Sequence, residues 1–122
     1  MLLLKIIIIT MILDIIFLWM ISNKVSKLIF KIQGSRINLN IWSSLVVYLF
    51  ICMQIYYFIF INNASLMYAF ILGASTYGIY EFTNMSILKH WDYRMAIIDT
   101  LWGGVLYTST TYIIRNIMSD SM

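Results

Sequence analysis

Four apolar segments, each close to the length of a bilayer crossing, limit what this chain can fold into. They cover residues 2–21, 41–61, 66–88 and 95–114, and a helix needs about 20 apolar residues to cross the hydrocarbon core. The chain is 62% hydrophobic and 11% charged, whereas a soluble domain carries about 25% charged residues. A chain of 122 residues is too small to bury this much apolar surface inside a globule. The sequence therefore predicts an all-α integral membrane protein, a four-transmembrane-helix bundle that forms one domain over residues 1–122.

The segment between the first two apolar segments is basic. Residues 22–40 contain no acid and four basic side chains, Lys24, Lys27, Lys31 and Arg36. Apolar residues recur between these charges at helical spacing, and Gly34 can end a helix. This pattern predicts a short amphipathic helix that lies on the membrane surface after the first span. Such helices serve mainly as anchors, and these four basic side chains could also recognise anionic lipid headgroups.

Basic residues are distributed unevenly between the two ends of the predicted bundle. One end holds the 22–40 segment and a short charged loop from Lys89 to Arg94, while the other holds only Lys5 and Arg115. The positive-inside rule then makes the two basic loops cytoplasmic and places both termini on the opposite side. This orientation gathers the predicted interfacial anchors at the cytoplasmic end: Trp19, Trp42, Lys89 and Trp91.

Three acids, Asp14, Glu81 and Asp99, lie within the apolar segments. Each acid at a helix centre costs about 2.5–3.5 kcal/mol, so each needs a partner or a wet environment. With a rise of about 1.5 Å per residue, all three lie roughly 7–10 Å from the cytoplasmic ends of their helices. We therefore predict one polar intramembrane cluster with seven members: Asp14, Tyr80, Glu81, Thr83, Asn84, Asp99 and Trp102.

Two interpretations of this cluster remain open. In the structural one, the acids pair with neighbouring amides, hydroxyls or Lys89 and fix the helix register. In the functional one, the cluster is a cytoplasm-facing site for a proton, a cation or a lipid headgroup, since adjacent acids can share a proton. Oxygen ligands could hold Mg²⁺ or Ca²⁺, but no spacing here is specific for a metal. An open pocket that reaches the cluster would favour a lipid site, and a dry packed cluster would favour the structural role.

The sequence contains no pattern typical of a soluble enzyme. Ser/His/Asp, Cys/His, HExxH, GxGxxG and P-loop arrangements are all missing, so we expect no catalytic residue, metal site or cofactor. A single cysteine, Cys52, excludes an internal disulfide framework. The net charge of +3 is small and spread along the chain, which argues against nucleic-acid binding.

Three motifs carry a resemblance to a known family. They are Asp14-Ile-Ile-Phe-Leu18-Trp19, Tyr80-Glu81-Phe-Thr83-Asn84 followed by Leu88-Lys89-His-Trp91, and Asp99-Thr-Leu-Trp102-Gly103. Over essentially its whole length the chain resembles a family of small membrane proteins from bacteria and large DNA viruses, catalogued as domain of unknown function 2177. Glu81 stands where that family more usually has Asp, and the longer side chain suits an exacting metal geometry less well. The resemblance implies four helices and supports the grouping of these residues, but it brings no known activity.

The sequence favours an uncharacterised, non-enzymatic component of a membrane with a buried, cytoplasm-facing carboxylate cluster. The alternatives are a membrane-embedded enzyme or accessory factor that acts on lipid, and a pathway for protons or small cations. A bacterial protein would lie in the cytoplasmic membrane, and a viral one in a host-derived or virion membrane. The lipid bilayer is the one partner that the sequence indicates, and it leaves the oligomeric state open.

Overall fold

The computed structural model describes residues 1–117, which form four helices and no β-strand. Helix α1 is Leu2–Gln33, α2 is Ile41–Gln54 with a π-helical continuation Ile55–Ile61, α3 is Leu66–Ile87, and α4 is Tyr93–Tyr112 with a π-helical continuation Ile113–Ile117. The predicted all-α fold is confirmed. The last five residues of the predicted domain, 118–122, lie outside the described residues.

Helix α1 differs from the prediction. Its 32 residues run without a break through Ser22, where the sequence predicted the end of a span and the start of a separate surface helix. The helix ends at Gly34, which adopts the left-handed conformation (φ 75°) and donates its N–H to the Phe30 carbonyl at 2.9 Å. The prediction of a separate surface helix was wrong, because polar side chains alone do not end a helix and the first residue suited to ending this one is Gly34.

The other three helices begin at side-chain caps. Asn40 accepts a hydrogen bond from the Ser43 N–H at 3.1 Å at the start of α2. Ser65 accepts one from the Tyr68 N–H at 3.1 Å at the start of α3. Asp92 accepts one from the N–H of Arg94 at 2.9 Å at the start of α4. Each cap satisfies a backbone donor that has no partner within its helix, which fixes where these helices start.

Helices α3 and α4 form the most extensive contact in the molecule. Gly73 and Gly103 face each other where the helices cross: a Cβ at Gly73 would lie 2.7 Å from Cγ of Tyr107, and one at Gly103 would lie 2.7 Å from Cβ of Tyr77. Neither position has room for a side chain. The two backbones therefore pack directly against each other, the kind of contact that holds helices together in lipid.

Helices α1 and α2 cover this pair less tightly. Helix α1 packs on α4 and on α2, whereas α2 contacts α3 mainly through its π-helical end. The apolar core lies where these elements converge, around Ile6, Ile55, Leu106 and Tyr107, all fully buried. Over Ile41–Gln54, α2 stands away from α3, and this separation creates the space described below.

Large apolar side chains remain exposed along α1 and α2. Ile15 is 55% exposed, Leu49 59% and Phe50 58%. By length and composition, Leu2–Gln33 and Ile41–Ile61 could each cross a membrane. Helices α3 and α4, of 22 and 20 residues, contain more Tyr, Ser, Thr and Gly, and in the described part of the chain only the first two helices are apolar enough to be candidate spans. So wide an apolar surface is rare on a soluble monomer and suits contact with lipid.

Candidate functional site

Asp14 connects three helices. It is 6% exposed, and its Oδ1 accepts a hydrogen bond from Nε1 of Trp102 on α4 at 2.9 Å. Its Oδ2 accepts a second hydrogen bond from the Tyr48 hydroxyl on α2. One turn further along α1, Phe17 stacks on the Trp102 ring, with centroids 4.5 Å apart and planes 6° apart. Both carboxylate oxygens of Asp14 therefore have a donor, which compensates for the burial of the charge.

Glu81 and Asp99 form the second acidic group. Glu81 is 3% exposed, and its Oε1 accepts a hydrogen bond from Nε1 of Trp91 at 3.0 Å. The Asp99 carboxyl on α4 lies within hydrogen-bond reach of the Glu81 carboxyl. Two carboxyls can form such a bond only when one carries a proton, so this pair can hold a shared proton. Asp99 is half-buried and, unlike Glu81, also faces an open space.

The remaining predicted members of the cluster take different positions. Tyr80 is 58% exposed, and Asn84, one turn along α3, is half-buried. Thr83 is exposed. The structure thus groups Asp14 with Trp102, and Glu81 with Asp99, while Tyr80 lines a cavity together with Asp14 and Asp99.

A cavity of about 670 Å³ separates α2 from α3. Eight polar side chains line it, contributed by all four helices: Asp14, Ser44, Tyr48, Gln54, Thr76, Tyr77, Tyr80 and Asp99. Gln54 closes one end, because its Nε2 donates to Oγ1 of Thr76 at 3.1 Å and its Oε1 accepts from the Tyr107 hydroxyl. The cavity therefore carries polar groups within a largely apolar lining, and it is closed at the Gln54 end.

Sequence reasoning did not assign the α2 side of this cavity. Ser44, Tyr48 and Ile51 lie on one face of α2 at spacings of four and three residues. That spacing was a usable signal for Ser44 and Tyr48, since it sets both side chains on the face that meets α1 and the cavity. Gln54 lies near this face and completes the α2 contribution.

The predicted anchors divide into two groups. Trp19 and Trp42 are 78% and 80% exposed, and Lys89 is exposed, which leaves all three free to meet lipid or solvent. Trp91 is half-buried and donates to Glu81, so its ring N–H is used inside the protein.

The acids do not form a metal centre in the part of the chain that the structure describes. No group of three or more His, Cys, Asp or Glu side chains is arranged there to hold a metal ion. The donors that do converge are carboxyl, hydroxyl and amide groups on a cavity wall. This chemistry suits hydrogen bonding to a polar molecule.

The apolar surface of the helices and the intramembrane acids between them are typical of a small helical membrane protein. The chain belongs to the family DUF2177, described as "Predicted membrane protein", whose profile matches residues 1–114. This match confirms the resemblance drawn from the sequence motifs. No curated protein and no solved structure matches the chain.

Proposed function

We propose that this protein is a non-enzymatic membrane component that binds an amphiphile, a lipid or lipid-like molecule, in the cavity between α2 and α3. The observation that carries the proposal is an open, largely apolar cavity that reaches two of the three intramembrane acids, Asp14 and Asp99. A purely structural cluster would be packed and dry. Here Asp14 and Glu81 have the partners expected of structural groups, whereas Asp99 faces open space.

Most polar groups on the cavity wall already have a hydrogen-bond partner within the protein, among them Asp14, Ser44 and Gln54. The Asp99 carboxyl also faces the open part of the cavity, and a polar group that faces hydrocarbon without a partner costs several kcal/mol, by order of magnitude. Water or the headgroup of an amphiphile would supply a hydrogen bond to it. The acceptors on the wall, above all the Asp99 carboxyl, favour a headgroup that donates hydrogen bonds, such as one with hydroxyl or amine groups.

The apolar part of the lining favours an amphiphile over a small polar solute. Leu18, Val47 and Phe50 also line the cavity, and Phe50 is 58% exposed. An acyl or prenyl chain could lie against these three side chains while its headgroup reaches the polar wall. A molecule of this kind would enter sideways, through the gap between α2 and α3.

The proposal includes the membrane arrangement. We propose that α3 and α4 also cross the bilayer, with their polar faces turned inward, and that the Ser44 end of the cavity opens toward the cytoplasmic leaflet. Support comes from the length of α3 and α4, 22 and 20 residues, which corresponds to about 30 Å of helix. The basic residues near the starts of α2 and α4 support a cytoplasmic position for that end.

A proton or small-cation pathway is the second candidate, because Glu81 and Asp99 are placed to share a proton. The closed end of the cavity argues for the amphiphile instead, since Gln54 bonds to both Thr76 and Tyr107 where a through-path would continue. Dye-loaded vesicles that contain the protein would detect conduction. Proton entry above the rate of empty vesicles, lost in Asp99→Asn, would replace the amphiphile proposal.

Lipid carried through purification tests the proposal. The purified protein, extracted with organic solvent, should release one amphiphile species in near-stoichiometric amount by mass spectrometry. Ser44→Trp with Val47→Trp places two indole rings on the cavity wall and should reduce the bound amount at least tenfold.

The matched control moves the same two substitutions by one residue. Ser43→Trp with Val46→Trp makes identical chemical changes on exposed positions of α2 that do not line the cavity, and it should retain the amphiphile. Equal lipid content in the wild type and both variants would show that the cavity holds no amphiphile and would end the proposal.

A further inference from the structure

A second groove, of about 650 Å³, lies between the last third of α1 and the segment that joins α3 to α4. Four cationic side chains line it, Lys24, Lys27, Lys31 and Arg94. His90 and one carboxylate, that of Asp92, also border it. The groove therefore has a strongly positive lining, and it is separate from the cavity between α2 and α3.

The continuous α1 helix creates this concentration of charge. Lys24, Lys27 and Lys31 are spaced by three and four residues, so they lie on one helix face. That face meets Arg94 at the start of α4 across the groove. A separate surface helix after residue 21 would have needed a bend to bring these residues to α4, whereas the unbroken helix places them there directly.

The Asp92 carboxylate offsets one of the four positive charges, so the groove keeps an excess of three (4 − 1). The Asp92 Oδ1 accepts a hydrogen bond from the Arg94 backbone N–H at 2.9 Å and caps α4. Arg94 itself lies with its guanidinium carbon 5.9 Å from the Tyr93 ring centroid, which leaves its N–H donors available to a ligand. The groove thus offers ammonium and guanidinium donors to an anion.

The groove also has apolar lining. Leu28, Met95 and Ile98 contribute aliphatic side chains, and Trp91 and Tyr93 contribute aromatic rings. Ile98, one turn into α4, is 43% exposed. Cations beside apolar side chains match a phosphate group attached to an acyl chain, and a free phosphate would leave the apolar side chains uncovered.

We propose that this groove binds the phosphate group of an anionic phospholipid, with Lys27 and Arg94 as its principal contacts and an acyl chain against Leu28 and Ile98. The site refines the sequence-based expectation of anionic-lipid contacts. Lys24, Lys27 and Lys31 are retained, while Arg36 does not line the groove and Arg94 from the other basic loop takes its place.

Native mass spectrometry of the full-length protein in detergent tests this assignment. The protein is titrated with dioleoyl phosphatidylglycerol and, separately, with dioleoyl phosphatidylcholine. We expect one phosphatidylglycerol molecule to bind with a clear preference over phosphatidylcholine. Lys27→Gln with Arg94→Gln should weaken phosphatidylglycerol binding roughly 25-fold, since each basic side chain near an anionic headgroup contributes about fivefold.

Arg36→Gln with Lys89→Gln is the matched control, because it removes the same charge from exposed positions of the two basic loops outside the groove. It should bind phosphatidylglycerol within twofold of the wild type. A second groove pair, Lys24→Gln with Lys31→Gln, should weaken binding less than the first pair and more than the control. Both groove pairs must keep the wild-type helix content by circular dichroism.

Three results would overturn the proposal. Equal losses in the groove and control variants would mean that the total charge attracts lipid without a site. Equal binding of the two phospholipids would mean that the groove does not recognise an anion. Displacement of phosphatidylglycerol by inorganic phosphate at similar concentration would mean that the site takes a free anion and not a lipid.

Discussion

The contact between α3 and α4 and the space between α2 and α3 are neighbours in one molecule, yet they are built in opposite ways. The first is closed by direct backbone contact at Gly73 and Gly103. The second is bridged by Gln54 at one end and is otherwise open. Lipid tails are as apolar as leucine, so helices in a bilayer associate through close packing or through hydrogen bonds. The closed contact is therefore the scaffold, and the open one is where a ligand has room.

Asp14 and Asp99 show the same contrast between a closed and an open environment. Asp14 has a donor for each carboxylate oxygen and holds α1 to α2 and α4. Asp99 has the Glu81 carboxyl on one side and open cavity on the other. Two aspartates at similar predicted depth can thus differ in role, because partners and burial decide what an intramembrane acid does.

The largest expected effect comes from opening the closed contact. Gly103→Val adds a Cβ that would lie 2.7 Å from Cβ of Tyr77 and also against the Gly73 backbone. Rotation of a side chain cannot relieve this clash, because the atoms that it involves are backbone and Cβ atoms. We expect a loss of at least about 3 kcal/mol in stability, at the upper end of overpacking effects. Thermal unfolding in detergent and the folded yield measure this loss.

Gly78→Ala is the control for the glycine contact. A Cβ there would lie 3.4 Å from Cγ2 of Thr100, an ordinary contact, so the variant should match the wild type or exceed it slightly because alanine favours helix. If Gly103→Val were equally stable, α3 and α4 would not be the scaffold.

A smaller effect separates the two aspartates. Asp14→Asn leaves one acceptor oxygen for two donors, Tyr48 and Trp102, and turns an amide N–H₂ toward one of them. We expect a loss of about 2 kcal/mol, the usual size for a broken hydrogen bond to a charged group. Stability in detergent and the near-ultraviolet signal of Trp102 report on it.

Asp99→Asn should leave stability unchanged or raise it. Its amide can donate to Glu81 in place of the shared proton, so the bond between them and the single negative charge of the pair are both kept. Equal destabilisation by the two substitutions would assign both acids to structure and remove Asp99 as a ligand contact. Loss of bound amphiphile in Asp99→Asn with retained stability would strengthen the cavity proposal.

Much of the fold could be predicted from the sequence, because apolar segments and capping residues are local signals. The predicted segments 41–61 and 66–88 match the observed helices within one residue. The prediction failed at Ser22, where a rise in polarity suggested an end, although only Gly34 supplies the left-handed residue that ends α1. The polarity of the side chains indicates where a helix leaves the lipid, whereas the position of a helix end depends on the backbone conformation of the residue that follows it.

The acids of the site could be predicted from the sequence, because a charged side chain is costly to bury in an apolar segment. Asp14, Glu81 and Asp99 stand out because each is expensive in an apolar segment, but the sequence could not show which acid had donors. Tyr48 and Trp91 supply those donors from distant positions, and both residue types usually suggest an interfacial belt. Their pairing depends on how α2 and the α3–α4 loop fold back, which no local pattern encodes.

The smallest expected loss of stability concerns the indole that joins this loop to the acidic pair. Trp91→Phe keeps an aromatic ring but removes the N–H that donates to Glu81 at 3.0 Å, so we expect a loss of about 1 kcal/mol, typical of one hydrogen bond between helices in a membrane protein. Trp42→Phe is the matched control, because Trp42 is 80% exposed, and thermal unfolding in the same detergent should place it within about 0.5 kcal/mol of the wild type.

If the two tryptophans gave equal losses, both would act as interfacial anchors and Glu81 would draw its stabilisation from Asp99 alone. A larger loss at Trp91 would mean that the loop closes over the carboxyl pair and helps to keep Glu81 structural, which leaves Asp99 as the acid that is open to the cavity.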